Sequence, residues 1–149
     1  HRMYAVALRM TGDPRDAEDV VQDAFLHVWR GLPRFRGDAQ FGTWVTRVVI
    51  NRCHNLRRDT KPTVPLTDEV PSPHAPGADT VVEAARLREA TMAAIAELPF
   101  DQRAALVLHT FAGYSHAEAG RILGVSETAA KVRVHRARRA LAQRLREWR

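Results

Sequence analysis

The chain has 149 residues, 45% of them hydrophobic, and a formal net charge of +6. That length suits one domain or two small ones with a buried core, and no apolar run approaches the roughly 20 residues that span a bilayer. A single cysteine excludes an internal disulfide framework and points to a reducing, cytoplasmic setting. The charge is unevenly spread: residues 121–149 hold nine Lys/Arg against two Glu, whereas 60–79 and 80–120 are each negative by two. The positive field therefore gathers at the C-terminal end, where it attracts phosphate. No signal peptide is evident. The chain opens at His1 inside what already reads as a helix, so part of an opening helix is expected to be absent.

In chain order, residues 2–11 read as the end of a helix closed by Gly12, and Asp13-Pro14 restarts the chain with an N-cap and a proline in the first turn. From Asp16 to Arg30 the residues Ala17, Val20, Val21, Ala24, Phe25 and Val28 follow one face of an amphipathic helix. Leu26 and Trp29 fall off that face. They form either a partner surface or a second packing contact within the domain. Gly31 and Pro33 end the helix. The loop 32–42 mixes Arg34 and Arg36 with Phe35 and Phe41, which suits unpaired nucleic acid, but on the loop alone a surface loop anchored by its phenylalanines is the stronger reading.

Residues 43–58 are helical again, with Trp44, Val45, Val48, Val49 and Cys53 inward. Cys53 reads as a core thiol. Arg47, Asn51, His54 and Arg58 lie along the opposite face at spacings of 4, 3 and 4, a polar stripe without a carboxylate. Residues 60–79 hold five of the eight prolines and no periodicity. They read as a flexible linker between domains 1–59 and 80–149. Beyond it, 80–98 is a helix with Leu87, Thr91, Ala94, Ile95 and Leu98 inward. Pro99 breaks that helix, Asp101 caps the next one over 102–112, and Gly113 turns the chain.

The stretch from Tyr114 to Arg139 reads as two short helices joined by a tight turn. Ser115 caps the first, with Glu118 three residues on. Ile122 and Leu123 give an apolar edge, and Gly124 stops it. Ser126 caps the second, whose first turn carries Glu127, and Lys131, Arg133, Arg136, Arg138 and Arg139 crowd its length. This is the pattern of a helix-turn-helix that lays its second helix in the DNA major groove. An ordinary helical hairpin with a solvated basic face is the other reading. Strand signals are nearly absent, so the expected fold is all-α: two small helical domains and a proline-rich linker, the C-terminal domain containing the helix-turn-helix. No P-loop, metal-ligand spacing or nucleophile elbow is present. No enzyme activity, cofactor or metal site is expected.

Taken together, DAEDVVQDAFLHVWR (16–30), FRGDAQFGTWVTRVVINRCHNLRR (35–58) and LPFDQRAALVLHTFAGYSHAEAGRILGVSETAAKVRVHRAR (98–138) resemble the bacterial RNA polymerase sigma factors of the extracytoplasmic-function, or group 4, family. The resemblance covers essentially the whole chain. It implies a transcription initiation subunit with region 2 at 1–59 and region 4 at 80–149. The 16–30 helix would dock on the clamp of the largest polymerase subunit through Asp16, Asp19, Gln22, Leu26 and Trp29. Arg34, Phe35, Arg36, Phe41, Trp44, Arg47, Asn51, His54 and Arg58 would meet the single-stranded −10 element, with a pocket for a flipped base. Ser115, Ser126, Lys131, Val132, His135 and Arg136 would meet duplex DNA at −35. Arg133 and Arg138 are shared among bases, phosphates and internal pairing. The resemblance also implies an anti-sigma factor as inhibitor and no insertion into a membrane. Ala119-Gly120 stand where the family has Ile-Ala, Ala129-Ala130 where it has Thr-Val, Val132 where serine is common and Asn55 where aspartate is. These departures thin the motif's core and leave the promoter sequence open. The rival reading is a stand-alone helix-turn-helix regulator of duplex DNA.

Overall fold

A computed structural model of the protein describes residues 1–37, 40–59 and 78–148, so residues 60–77 of the expected linker lie outside the described residues. Among the described residues there are seven α-helices and no strand. Helix α1 (Arg2–Thr11) ends at Gly12, whose φ of 73° is the left-handed conformation that lets its N–H close the last turn. Helix α2 (Pro14–Gly31) starts where Asp13 accepts hydrogen bonds from the Arg15 and Asp16 N–H groups, with Pro14 in the first turn. A 3₁₀ turn (Leu32–Arg34) leads to α3 (Phe41–Asp59). Then come α4 (Ala78–Ala96), α5 (Phe100–Leu106) with a π-helical turn (Val107–Phe111), α6 (His116–Leu123) and α7 (Glu127–Trp148).

Small residues decide how closely the first three helices approach. Ala7, Ala17 and Ala24 are buried with Val6, Met10, Val20, Val48, Val49, Ile50 and Cys53. Because this contact takes only a narrow stripe of α2, Phe25 is 65% exposed rather than inward. It sits next to Ala24, about 100° further around the helix. Leu87 is likewise 47% exposed, because α4 meets the rest of the protein through its C-terminal half, where Ala94 and Ile95 are buried. Asp101 does not cap α5. Pro99 stands at that N-cap, without a side-chain hydrogen bond, and Asp101 lies in the first turn.

The cores of the two halves are continuous. Ala104, Val107, Leu108, Ala112, Ala119 and Ile122 belong to the same buried cluster as α1–α3. A smaller cluster of Ile95, Leu98, Ala105, Leu106, Val134 and Ala137 holds α4, α5 and α7 together. Polar groups also cross between the halves. Thr46 is fully buried. Its hydroxyl donates to the Gly42 carbonyl at 2.7 Å, so its 2.7 Å bond to Tyr114 must take the tyrosine proton. Arg2 donates to the Ala112 carbonyl, and Arg9 lies over the Phe111 ring.

Arg103 is the buried charge in this packing. Its guanidinium donates to the Met10 carbonyl at 2.6 Å, to Leu98 at 2.8 Å and to Ala96. These carbonyls lie at the C-terminal ends of α1 and α4, where helix dipoles favour a cation and backbone oxygens lack helical partners. Nearby Cys53 is buried, and its thiol is pushed up to about 12 by that burial, against the opposing charge of Arg103. Replacing Arg103 by Met leaves those carbonyls without their donor and is expected to cost about 3 kcal/mol. Urea denaturation measures the loss, and Cys53 in the variant should react faster with a maleimide than in the native protein. Unchanged stability would remove Arg103 from this role.

Candidate nucleic-acid interface

Three surfaces carry the residues singled out in the sequence. The first is the outer face of α2. Gln22, Leu26 and Trp29 follow each other at spacings of 4 and 3, and all are exposed, Trp29 at 68%. Asp19 is also exposed. The Asp16 carboxyl is held above its ordinary range by partial burial, with the charges of Asp13 and Asp19 adding to the shift. Phe25 and Leu32 enlarge the exposed apolar area beyond the two residues that periodicity had set apart. An apolar strip rimmed by carboxylates has the character of a surface for a protein partner.

The second surface is a recess lined by His27, Gly31, Arg34, Phe35, Arg36, Trp44 and Arg47. Its aromatic wall is ordered by ring contacts. Phe35 stacks on Trp44 at 4.9 Å and 20°, and Phe41 meets both rings edge-on at 5.8 and 5.9 Å. Gly31 permits this closeness, because a Cβ there would lie 2.9 Å from Trp44 Cζ2. Three arginines around an aromatic wall can hold phosphate while a base stacks. Asn51 is exposed one turn along α3 from Arg47. His54 is turned to the other half, its ring 4.9 Å from that of Phe100. Arg47 also reaches across, donating to the Arg121 carbonyl on α6 at 2.8 Å. The Arg58 side chain lies outside the described residues.

The third surface is the helix-turn-helix. Ser115 and Glu118 form a reciprocal capping box, which holds the Glu118 carboxyl below its ordinary range through the hydrogen bond from the Ser115 backbone. Gly124 ends α6 at φ 69°, and Ser126 caps α7 by accepting from the Ala129 N–H at 3.1 Å. Ala130, Val134 and Ala137 face inward at spacings of 4 and 3. Lys131, Val132, His135 and Arg136 are exposed together with Arg139. Arg139 continues that face three residues beyond Arg136; the set expected from the sequence omitted it, although that spacing would have included it. Arg133 is half-buried and lies 3.9 Å from Asp101, while Arg138 donates to the Thr110 hydroxyl at 3.4 Å. Beside the motif, His109 and His116 stack at 3.9 Å. Burial lowers the His116 pKa first, then the charges of His109, Lys131 and Arg138, with Glu127 opposing.

Residues 1–63 match the family model for Sigma-70 region 2, and residues 88–141 match that for Sigma-70, region 4. The sequence is 38% identical over 149 residues to the ECF RNA polymerase sigma factor SigM of Mycobacterium tuberculosis, covering 97% of this chain and 72% of that one. The chain belongs to the extracytoplasmic-function family of RNA polymerase sigma factors. A further relative of this sigma factor is the RNA polymerase sigma-H factor of Pseudomonas aeruginosa, 33% identical with 97% and 81% of the two chains covered. Among solved structures the sigma factor resembles CnrH in complex with the cytosolic domain of CnrY, with a TM-score of 0.73, 28% identity and coverage of 98% and 81%. RpoE from Bartonella quintana, solved with the anti-sigma factor NepR, shares the fold at a TM-score of 0.74 and 22% identity, covering 97% and 89%.

The small residues that distinguish this sigma factor's motif are packed closely. Ala119 and Ala130 are completely buried, and a Cβ on Gly120 would lie 2.7 Å from the Val125 carbonyl oxygen. Alanine is ordinarily the better helix residue by about 1 kcal/mol. Gly120→Ala is nevertheless expected to destabilise the sigma factor by about 1–3 kcal/mol, because the turn must open to admit the methyl group. A raised thermal midpoint in the variant would contradict this.

Proposed function

We propose that this sigma factor binds core RNA polymerase through the exposed face of α2 and directs initiation by reading two promoter elements. Lys131, Val132, His135 and Arg136 on α7 enter the major groove at −35, with Ser115 and Ser126 near the backbone. Arginine or lysine there pairs with guanine edges, while phosphate contacts set the register. The recess around Phe35, Trp44 and Arg47, together with Asn51, receives a base flipped from the −10 element. Opening costs about 1.4 kcal/mol per base-pair step, and stacking one base on an aromatic wall returns about 1–3 kcal/mol. One captured base therefore offsets the first step or two of melting. The observation that carries this reading is the presence, on one chain, of a basic-aromatic recess and a basic helix-turn-helix.

Reading both elements at once requires the halves to part. Elements about 25 base pairs apart, at about 3.4 Å each, are separated by about 85 Å. A folded chain of this length has a radius of gyration of about 15 Å. The polymerase holds the two halves at their stations. Arg47 must then leave the Arg121 carbonyl, and Tyr114 must leave Thr46. An anti-sigma factor, the kind of partner seen with RpoE of Bartonella quintana, would block the same surfaces in the cytoplasm.

In vitro transcription with core polymerase is the test. Promoter-specific transcripts are expected, with Asn51→Ala weakening −10 discrimination while binding to core polymerase stays intact. No specific initiation, together with tight binding of the free protein to duplex DNA, would favour a stand-alone regulator instead. Equal loss of polymerase binding and discrimination in Asn51→Ala would remove Asn51 from the pocket.

A further inference from the structure

His27 sits on α2, in the stretch assigned to polymerase docking, yet it helps to line the recess beside Gly31, Phe35 and Trp44. Arg52 on α3 donates to His27 Nδ1 at 2.8 Å. Arginine carries donors only and keeps its charge in proteins, so Nδ1 must accept. The ring proton is thereby placed on Nε2, since the partner of one ring nitrogen fixes the state of the other. Among the described residues Nε2 has no other partner. With Nδ1 taken by Arg52, Nε2–H is the polar group His27 offers to whatever enters. The remaining polar side chains on the wall are Arg34, Arg36 and Arg47, together with Trp44 Nε1–H. The arginines attract any phosphate equally. A neutral donor with a fixed hydrogen position favours a base that presents an acceptor at the matching place.

We infer that His27 is a specificity-determining residue of the −10 pocket: it donates from Nε2 to an acceptor on the flipped base, and Arg52 holds it in the tautomer that can do so. This inference rests on the flipped-base reading of the recess. It differs from a purely structural role, in which the His27–Arg52 bond would only brace α2 against α3.

Two isosteric substitutions separate the two roles. The Asn amide reproduces the position of Nδ1, so His27→Asn keeps an acceptor for Arg52 and loses the donor at Nε2. The Gln amide nitrogen reproduces the position of Nε2, so His27→Gln keeps the donor and loses the brace. Holoenzyme would be assembled from the full chain and core polymerase on four promoters differing only in the flipped base. Opening would be followed by permanganate footprinting or by a fluorescent base analogue beside that position. His27→Asn should lower opening at the preferred base roughly five- to tenfold, the weight of one hydrogen bond, and flatten the preference among bases. His27→Gln should keep most of that preference. An equal fall on all four promoters, or a loss in Gln matched by retention in Asn, would overturn the assignment. Trp44→Ala provides the control for the pocket itself. If it leaves opening unchanged, the pocket reading fails. If it abolishes base preference while every His27 variant behaves as wild type, only the His27 inference fails.

Discussion

The arrangement depends on one buried cation. Arg103 lies where α1, α4 and α5 converge, and its guanidinium supplies donors to three carbonyls that the ends of α1 and α4 leave exposed. A buried charge is stable only when its hydrogen-bonding capacity is met, and losing one side of such a network costs far more than forming it gains. Around this point the apolar cluster of α1–α3 runs unbroken into α5 and α6. The polar contacts of Thr46, Tyr114 and Arg47 line the same junction further out. Burial is thorough at Arg103 and partial at Arg47, so the contacts nearest the nucleic-acid surfaces are the more easily exchanged for other partners.

That gradient connects stability with function. Phe41, Trp44, Arg47 and Asn51, among the residues proposed to read −10 DNA, sit on α3, and α3 packs against α6, the first helix of the helix-turn-helix. In the packed form Arg47 is hydrogen-bonded to that helix, and the His54 ring is set against Phe100. The exposed face of α2 and the outer face of α7 are both open in the same form. The chain can therefore meet a protein partner before it releases its −10 surface. On the proposed reading, such a factor would engage the −10 element fully only after polymerase has separated its halves, which suits a subunit that acts within the holoenzyme.

Local structure was largely legible in the sequence because short-range rules govern it. The caps at Asp13, Ser115 and Ser126, the left-handed glycines 12 and 124, and the inward positions Val48, Val49 and Cys53 of α3 follow from residues within a turn or two. The family resemblance added the order of the two regions, and the matches to Sigma-70 region 2 and region 4 bear out that identity. What escaped was set by contacts distant in sequence. Periodicity assigned Phe25 and Leu87 to the core, but whether a helix face is covered depends on what the rest of the chain brings to it. Nothing local marks Arg103 as the donor to Met10, a contact 93 residues away in the chain. His27 drew no reading of its own, because its bond to Arg52 spans 25 residues. Gly120 looked like a loss from the motif until the nearness of the Val125 carbonyl gave it a reason.

The central claim is that a closed sigma factor must open to read its promoter. The distance between spin labels at Glu18 on α2 and Gln143 on α7, both exposed, tests it directly. The buried Cys53 thiol interferes little with labelling of introduced cysteines. Pulsed electron paramagnetic resonance should give a single short distance in the free protein and a clearly longer one once core polymerase and promoter DNA are bound. A distance unchanged in a transcriptionally active complex would contradict the account.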